Sequence, residues 1–293
     1  MTRKFAKLLA HSPLLLRGKR LFEKNSQNWN SLSSKSDKFL AGVYLILEDY
    51  SNGLFPPTFE DQAKAYAGEV AYRTHIPGVS QEAVRQTELR KPFWLGQATK
   101  KYLNQFVQLT NLLARVKVAP PARLLELGCG SGWMAEFLAI AGFDVTGTSI
   151  APADINDARA RLDSIAIKGL AVQLQFEVVP MESVAEASER RGYYDAVFVF
   201  EALHHAFDWQ KAIQSSFECL RPGGWLLICN EPNVLHTFVS YRVGKLSNTH
   251  EIGFSRRVLA RHLAKVGFAQ VKYVSTPFHF WFKPHWIVAR KSP

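Results

Sequence analysis

Apolar and polar residues follow two different periods along this chain. Between residues 39 and 117, apolar positions recur every three or four residues and prolines interrupt the pattern, which predicts a series of helices. From residue 120 onward, short apolar runs alternate with amphipathic stretches, and this order is typical of strands and helices in turn. The sequence therefore predicts an α/β fold with a doubly wound, mostly parallel sheet, preceded by helices.

The N-terminal residues have a pattern of their own. No acidic residue precedes Glu23, and Phe5, Leu8 and Leu9 share one face of a predicted helix whose other face is basic. Two interpretations remain open: this helix lies on an anionic membrane surface, or it packs on its own protein. We expect three parts in the chain: a basic N-terminal segment (1–38), a helical cap (39–119) and an α/β domain (120–293).

The clearest candidate for a binding site is the stretch LLELGCGSG, residues 124–132. It reads as the end of a buried strand, a turn rich in glycine and the start of a helix. Glycine lets the backbone approach a ligand closely, and the free amides at a helix start attract negative groups. Glu126 stands two positions before the first glycine, where its carboxylate can accept a hydrogen bond from a ligand's ammonium group.

Polar residues also follow the later strands. Ser149 ends the predicted strand FDVTGTS, Met181 and Glu182 follow LQFEVV, and the segment EALHHA follows YDAVFVF. Ligands of doubly wound sheets bind at the carboxyl ends of the strands, so the paired histidines in EALHHA face the predicted crevice. Imidazole titrates near neutral pH and can remove a proton from a hydroxyl or an amine. No third ligand stands at the right spacing in the sequence, so we expect no metal.

Four stretches in this order resemble the class I S-adenosylmethionine-dependent methyltransferases of the small-molecule or lipid type: LELGCGSG, FEALHH, LRPGGWLLI, and the terminal pair FSRRVLARHLAKVGFAQVKYV and HWIVARK. The resemblance implies a seven-stranded Rossmann-like sheet with an antiparallel last strand, and S-adenosyl-L-methionine as cofactor. By the same resemblance the cofactor-binding residues are Glu126, Gly128, Cys129, Gly130, Gly132, Ser149, Ile150, Met181, Glu182 and Glu201. The family usually has an acidic residue at the position of Ser149; either this serine makes part of the ribose contact, or Asp154 replaces the missing acid.

The resemblance also implies a reaction and an acceptor pocket. The expected reaction is methyl transfer to an oxygen or nitrogen atom of a small-molecule, sugar or lipid acceptor, with His204 and His205 as the catalytic residues. The cap and the segment after the fifth strand are expected to line the acceptor pocket, through Trp94, Glu231, His236 and Tyr241.

Charge narrows the choice of partners. The net charge of +11 divides into +9 for residues 1–120, −7 for 121–232 and +9 for 233–293. Two basic flanks either solvate the surface or attract an anionic acceptor or membrane. Three scattered cysteines fit a reducing compartment, so we expect a cytoplasmic protein, either free or peripheral at a membrane surface.

Three alternatives remain open. An RNA methyltransferase would fit the charge, but strand four ends in FEAL rather than in the Asn-Pro-Pro-Tyr type of turn, so nucleic acid is the less favoured partner. A non-catalytic methyltransferase-like binding protein would fit the departures at Ser149 and Met181. An NADP-dependent oxidoreductase would also fit a second strand that ends without an acid, although the terminal hairpin disfavours it.

Overall fold

A seven-stranded mixed sheet forms the centre of the protein. The computed structural model describes residues 1–293 except 25, 27, 33, 56–60, 94–95, 252 and 275–283. The strands are β1 (Arg123–Leu127), β2 (Asp144–Ser149), β3 (Gln173–Val178), β4 (Tyr194–Phe200), β5 (Leu220–Glu231), β6 (Phe268–Tyr273) and β7 (His285–Lys291). Their order is β3-β2-β1-β4-β5-β7-β6, and β7 runs antiparallel to both of its neighbours, β5 and β6. The predicted doubly wound sheet with an antiparallel last strand is therefore confirmed.

The described α-helices are α1 (Arg3–Ala10), α2 (Pro13–Glu23), α3 (Lys35–Asn52), α4 (Gln62–Thr74), α5 (Gln81–Leu89), α6 (Gln97–Arg115), α7 (Trp133–Ile140), α8 (Pro152–Ile167), α9 (Trp209–Cys219), α10 (Val234–Ser247) and α11 (Arg256–Val266). Those that cover the two faces of the sheet are α6, α7, α8, α9 and α11. Successive strand residues point to opposite faces, so Leu124 packs in the core with α6, α7 and α8, and Leu125 packs in the core with α9 and α11. Both faces are buried, which explains why β1 and β4 read as nearly continuous apolar runs.

A third apolar cluster joins the N-terminal segment to the rest of the chain. Ala10 and Leu15, from α1 and α2, pack with Tyr44 and Leu45 of α3 and with Tyr241 of α10. The basic N-terminal segment thus packs on its own protein, one of the two arrangements that the sequence left open. Within the described residues, none of the helices combines the length and the apolar character that crossing a bilayer requires.

The segment after β5 is a helix that docks on the cap. Tyr241, on α10, is buried, and its hydroxyl donates a hydrogen bond of 2.9 Å to Oδ2 of Asp49 on α3. Lys245 Nζ lies 2.8 Å from the same oxygen. We therefore no longer assign Tyr241 to the acceptor pocket, because its side chain connects two helices instead.

Candidate functional site

The turn after β1 has three glycines in a backbone conformation that other residues rarely adopt. Gly128, Gly130 and Gly132 all have positive φ, at 67°, 53° and 73°. A Cβ atom at Gly128 would lie 2.6 Å from the Cβ of Ala202, at the end of β4, while the space beside Gly130 is open. The amide of Cys129 donates to the carbonyl of Thr148 at 2.8 Å, so this residue ties the turn to β2. The turn is therefore held rigidly at the carboxyl edge of the sheet.

A cavity of about 190 Å³ lies against this turn. Seven of the predicted cofactor-binding residues line it, namely Gly128, Gly130, Ser149, Ile150, Met181, Glu182 and Glu201. The sequence did not assign a role to several other lining residues, among them Glu69 and Tyr72 of α4. Tyr66, Glu69 and Tyr72 recur every third position on α4, a spacing that places them near one another on a helix. This spacing is the feature of the sequence from which the three lining residues could have been predicted.

Glu126 lies buried at the end of β1 with one carboxylate oxygen uncompensated. Its side chain is 3% exposed, and within the described part of the chain no group makes a hydrogen bond to its Oε2 atom. Burial raises the pKa of Glu126 to about 8, although the backbone amide of Ala135 works in the opposite direction. A buried carboxylate without a partner is costly. The ammonium group of a ligand at the glycine turn would remove that cost.

A carboxylate from the next helix lies beside the end of β2. Asp154, in the first turn of α8, accepts a hydrogen bond of 2.7 Å from the Ser149 hydroxyl. The amide of Ala151 donates to the same hydroxyl at 3.2 Å. Ser149 and Asp154 both line the cavity. This geometry favours the second of the two interpretations of Ser149, in which Asp154 replaces the acidic residue that usually contacts the ribose.

The loop after β3 connects the cavity to the cap. Glu182 is 4% exposed; its Oε1 accepts from the amide of Asp208, and its Oε2 accepts from the hydroxyl of Tyr66, each at 3.1 Å. Burial and the Glu182 charge raise the pKa of Tyr66 to about 12, so this hydroxyl remains a donor at neutral pH. The contact holds α4 above the cavity, and Met181 forms an apolar part of the wall.

The paired histidines after β4 sit in a network of buried carboxylates. His204 Nδ1 lies 2.9 Å from Oε2 of Glu231, which is fully buried and also accepts from the amides of Ala202, Leu203 and His204. Burial alone would raise the pKa of Glu231, but His204 and the amides lower it below the ordinary value. Because Glu231 has no exposed surface, it cannot contact an acceptor, and it orients His204 instead.

His205 lies against a second carboxylate, that of Glu69. Its Nδ1 atom lies 3.0 Å from Oε2 of Glu69, as an ion-pair contact without the alignment of a hydrogen bond. Burial opposes the charged form, but Glu69, Glu251 and Glu231 raise the pKa of His205 to about 9. At neutral pH this ring is an imidazolium and cannot act as a base.

Glu251 reaches the histidines from the segment after α10. It lies 3.6 Å from His236 Nε2, and although burial works against the charge, the histidines lower its pKa to about 2. Glu251, His204 and His205 each place one possible ligand atom within 4.8 Å of the others. The sequence argument against a metal, which relied on spacing along the chain, therefore missed a carboxylate that tertiary folding brings in. The expectation that no metal binds stays a prediction.

A second, larger cleft of about 1090 Å³ opens beside the cavity. His204, His236 and Glu251 line its inner end, and Lys35, Lys100 and Lys101 stand among its other lining residues. Tyr72, Glu201 and His205 line both the cavity and the cleft, so these three side chains mark the junction where two ligands would meet. Of the predicted acceptor residues, His236 lines the cleft, whereas Trp94 lies outside the described residues.

Sequence comparisons match this chain to methyltransferases. A family model described as a methyltransferase domain matches residues 100–273. The ubiquinone biosynthesis O-methyltransferase of Bordetella avium (strain 197N) is 35% identical over 105 residues, which cover 36% of this chain and 40% of that protein. The protein of the same name from Xanthomonas campestris pv. campestris (strain B100) is 34% identical over 151 residues, or 49% of this chain and 60% of that protein. The chain thus spans about half the length of the curated relatives that it matches.

Solved structures show the same fold. Magnesium protoporphyrin IX methyltransferase from Synechocystis PCC 6803, with bound SAH, has a TM-score of 0.56 at 18% identity, over 77% of this chain and all of that chain. An O-methyltransferase family protein from Burkholderia thailandensis has a TM-score of 0.57 at 16% identity, over 87% of this chain and 72% of that chain. At such identities the likeness concerns the fold alone.

Proposed function

The chain belongs to the class I S-adenosylmethionine-dependent methyltransferases, and from this premise we propose that it transfers the cofactor's methyl group to an oxygen atom of a small-molecule, sugar or lipid acceptor. The observation that carries the proposal is the junction at Tyr72, Glu201 and His205, where a cavity at the glycine turn meets a polar cleft. An oxygen acceptor is favoured because the matching relatives are named O-methyltransferases.

Two acidic side chains, Asp154 in the cavity wall and Glu126 behind the glycine turn, suit the two ends of the cofactor. Glu126, buried with an uncompensated oxygen beside the glycine turn, would accept from the amino group of the methionine part. Asp154, held by Ser149, would accept from the ribose hydroxyls, and Met181 would pack against the adenine ring. When bound, S-adenosylmethionine supplies an activated methyl group on a positively charged sulfur.

The protein's own part in the reaction is placement and proton removal. We assign the role of general base to His204, because its ring lines the cleft while its Nδ1 faces the buried Glu231. A carboxylate at Nδ1 fixes the tautomer, so Nε2 is free to take the acceptor's proton. The same carboxylate then stabilises the imidazolium. His205, already cationic, would instead donate a hydrogen bond to the acceptor oxygen and hold it in line with the methyl carbon.

The lining of the cleft indicates the kind of acceptor. Lys35, Lys100 and Lys101 contribute positive charge, and Gln97, Asn104 and Gln108 add polar side chains from α6. A cleft of this size and polarity suits a polar molecule with an anionic group, which the lysines would hold while its hydroxyl reaches the histidines. The basic flanks of the chain also support an acceptor that is presented at an anionic membrane.

The proposal is tested in two steps. Titration calorimetry with S-adenosylhomocysteine should show binding to the wild type and at least about tenfold weaker binding to Glu126→Gln, because the variant removes the charge that faces the ammonium group. Transfer of radiolabelled methyl to a panel of phenols, sugars and polyprenyl phenols should then identify the acceptor class. The proposal would be refuted if the folded protein bound no cofactor at millimolar concentration. Cofactor binding with labelling of RNA alone would favour the nucleic-acid alternative.

A further inference from the structure

The first two helices expose their largest apolar side chains. Met1, Phe5, Leu8, Leu14 and Leu16 form what we call the N-terminal apolar surface. Their exposed fractions are 64%, 54%, 74%, 70% and 40%. Isolated exposed leucines are ordinary on protein surfaces, but several large apolar side chains within the first 16 residues call for a physical reason.

The helices α1 and α2 pack on α3 mainly through small residues. Ala6, Ala10 and Gly18 are the buried positions, together with Leu15. A Cβ atom at Gly18 would lie 2.6 Å from the carbonyl oxygen of Leu40, so α2 rests directly on the backbone of α3. An amphipathic helix that packs only on its own protein buries its large apolar residues against the core. Here Ala6, Ala10 and Gly18 face inward beside Leu15, whereas Phe5 and Leu8 of α1 and Leu14 and Leu16 of α2 stay exposed.

The same stretch of the chain carries positive charge. The basic residues among the first 24 are Arg3, Lys4, Lys7, Arg17, Lys19, Arg20 and Lys24. Glu23 is the one acidic residue of this stretch, which gives it a net charge of +6. The ion pairs that the structure shows here, Arg17 with Asp37 at 3.3 Å and Lys19 with Glu23 at 3.8 Å, lie at the surface and bind weakly.

The surface is held in place before any partner arrives. The Thr2 hydroxyl accepts from the amide of Phe5 at 3.3 Å and caps α1. The Tyr50 hydroxyl donates to the carbonyl oxygen of Met1 at 2.7 Å. Because both helices are already folded and docked, a partner would not have to supply the entropy cost of ordering them.

We propose that the N-terminal apolar surface docks on an anionic phospholipid bilayer, with its apolar side chains among the acyl chains and its lysines and arginines at the headgroups. Apolar burial and attraction to anionic lipid together support reversible binding of an interfacial helix. The charge argues against a second copy of the chain on this surface, since two such patches would repel each other. A nucleic acid would leave Phe5 and Leu8 in water.

The helix α3, on which α1 and α2 pack, also reaches the acceptor cleft. Lys35, the first residue of α3, lines the cleft, and Arg17 of α2 pairs with Asp37, two residues after Lys35. His236 at the inner end of the cleft belongs to α10, which packs on α3. An acceptor with a lipid tail could therefore remain in the bilayer while its polar group enters the cleft. The inference deepens the proposed function, but lipid binding is measurable without methyl transfer.

Vesicle flotation with the full chain tests the docking directly. Vesicles of phosphatidylcholine containing about one third phosphatidylglycerol should carry the wild type, and vesicles of phosphatidylcholine alone should not. The double variant Phe5→Ser/Leu8→Ser should bind about tenfold more weakly or worse. Its matched control is Ile167→Ser/Val258→Ser, at exposed apolar positions of α8 and α11, which should bind as the wild type does.

Charge is tested separately. Lys4→Glu/Lys7→Glu should weaken binding at low salt, whereas Lys168→Glu/Lys272→Glu, with the same change in net charge, should have a much smaller effect. Equal binding to neutral vesicles, no binding to either, or wild-type binding by Phe5→Ser/Leu8→Ser would overturn the inference. So would a change of oligomeric state in that variant by ultracentrifugation. Calorimetry with S-adenosylhomocysteine should be unchanged in it, so that failure of docking and failure of the cofactor site are distinguishable.

Discussion

Replacing Glu231 with glutamine keeps the size of a fully buried side chain and removes its charge. Each carboxylate oxygen of Glu231 now accepts two hydrogen bonds: Oε1 from the amides of Ala202 and Leu203, and Oε2 from the amide and Nδ1 of His204. The amide nitrogen of glutamine must replace one of the two oxygens, so two donors lose their acceptor, or one donor if the His204 ring changes tautomer. At about 1–3 kcal/mol for each buried unsatisfied group, Glu231→Gln should lose about 1–6 kcal/mol of stability.

The same change should slow the reaction more than it weakens binding. If the glutamine NH₂ faces Nδ1 of His204, the ring takes the other tautomer, and Nε2 then carries a proton and cannot accept one. We expect kcat to fall about 10²- to 10⁴-fold, the usual range for a lost general base. The KM for the cofactor should change little, because Glu231 has no exposed surface from which to contact it.

A matched control separates lost stability from lost chemistry. Glu136 on α7 pairs with Arg161 on α8 at 2.8 Å, and both side chains are largely buried. Glu136→Gln should therefore also lower the melting temperature, yet keep kcat within about threefold of the wild type well below melting. Steady-state kinetics and thermal unfolding of both variants are the measurements. If folded Glu231→Gln keeps its kcat, or if Glu136→Gln loses kcat equally, His204 is not the base that Glu231 orients.

Three further predictions concern the cofactor cavity and the histidines. Because burial raises the pKa of Glu126 to about 8, cofactor binding should release a proton at pH 7 and strengthen as pH rises toward 8; calorimetry in buffers of different ionisation enthalpy checks this, and an affinity and proton count that do not change with pH would contradict it. Gly128→Ala should abolish S-adenosylhomocysteine binding, because its Cβ would meet Ala202, whereas Gly169→Ala, also at positive φ but with open space around it, should cost only about 1 kcal/mol of stability. The pKa of His205 is raised from 6.5 to about 9, so its stabilising ion pairs are fully formed below about pH 6.5 and are lost as pH rises through 9; thermal unfolding should show a falling melting temperature over that window in the wild type and a flatter profile in His205→Gln.

The cap is as much a part of the proposed site as the sheet domain. Glu69 and Tyr72 come from α4, Lys35 from α3, and Lys100 from α6, yet all of them line the cavity or the cleft. The family model begins only at residue 100, so most of these positions precede the part of the chain that the family model matches. We therefore expect the choice of acceptor to depend on the cap, and the handling of the cofactor on the sheet domain.

The sequence alone determined the architecture and one half of the site. The sheet with its antiparallel last strand, the glycine turn and the segment with the paired histidines all follow from local patterns, because period, turn chemistry and strand ends are properties of neighbouring residues. Ser149 departs from the acidic residue that the family usually has at this position. The sequence could also indicate Asp154 as a replacement, because the two residues lie only five positions apart.

Tertiary structure decided which side chains meet, and therefore which chemistry each can perform. His205 becomes a cation and His204 the candidate base only because Glu69, Glu231 and Glu251 converge on them from three distant segments. Tyr241 was predicted to line the acceptor pocket, but it contacts Asp49 of α3 because its segment folds as a helix. Such placements depend on how packed elements cross one another in space. Local periodicity can indicate that a helix buries a face, but it does not specify the side chain that this face will touch.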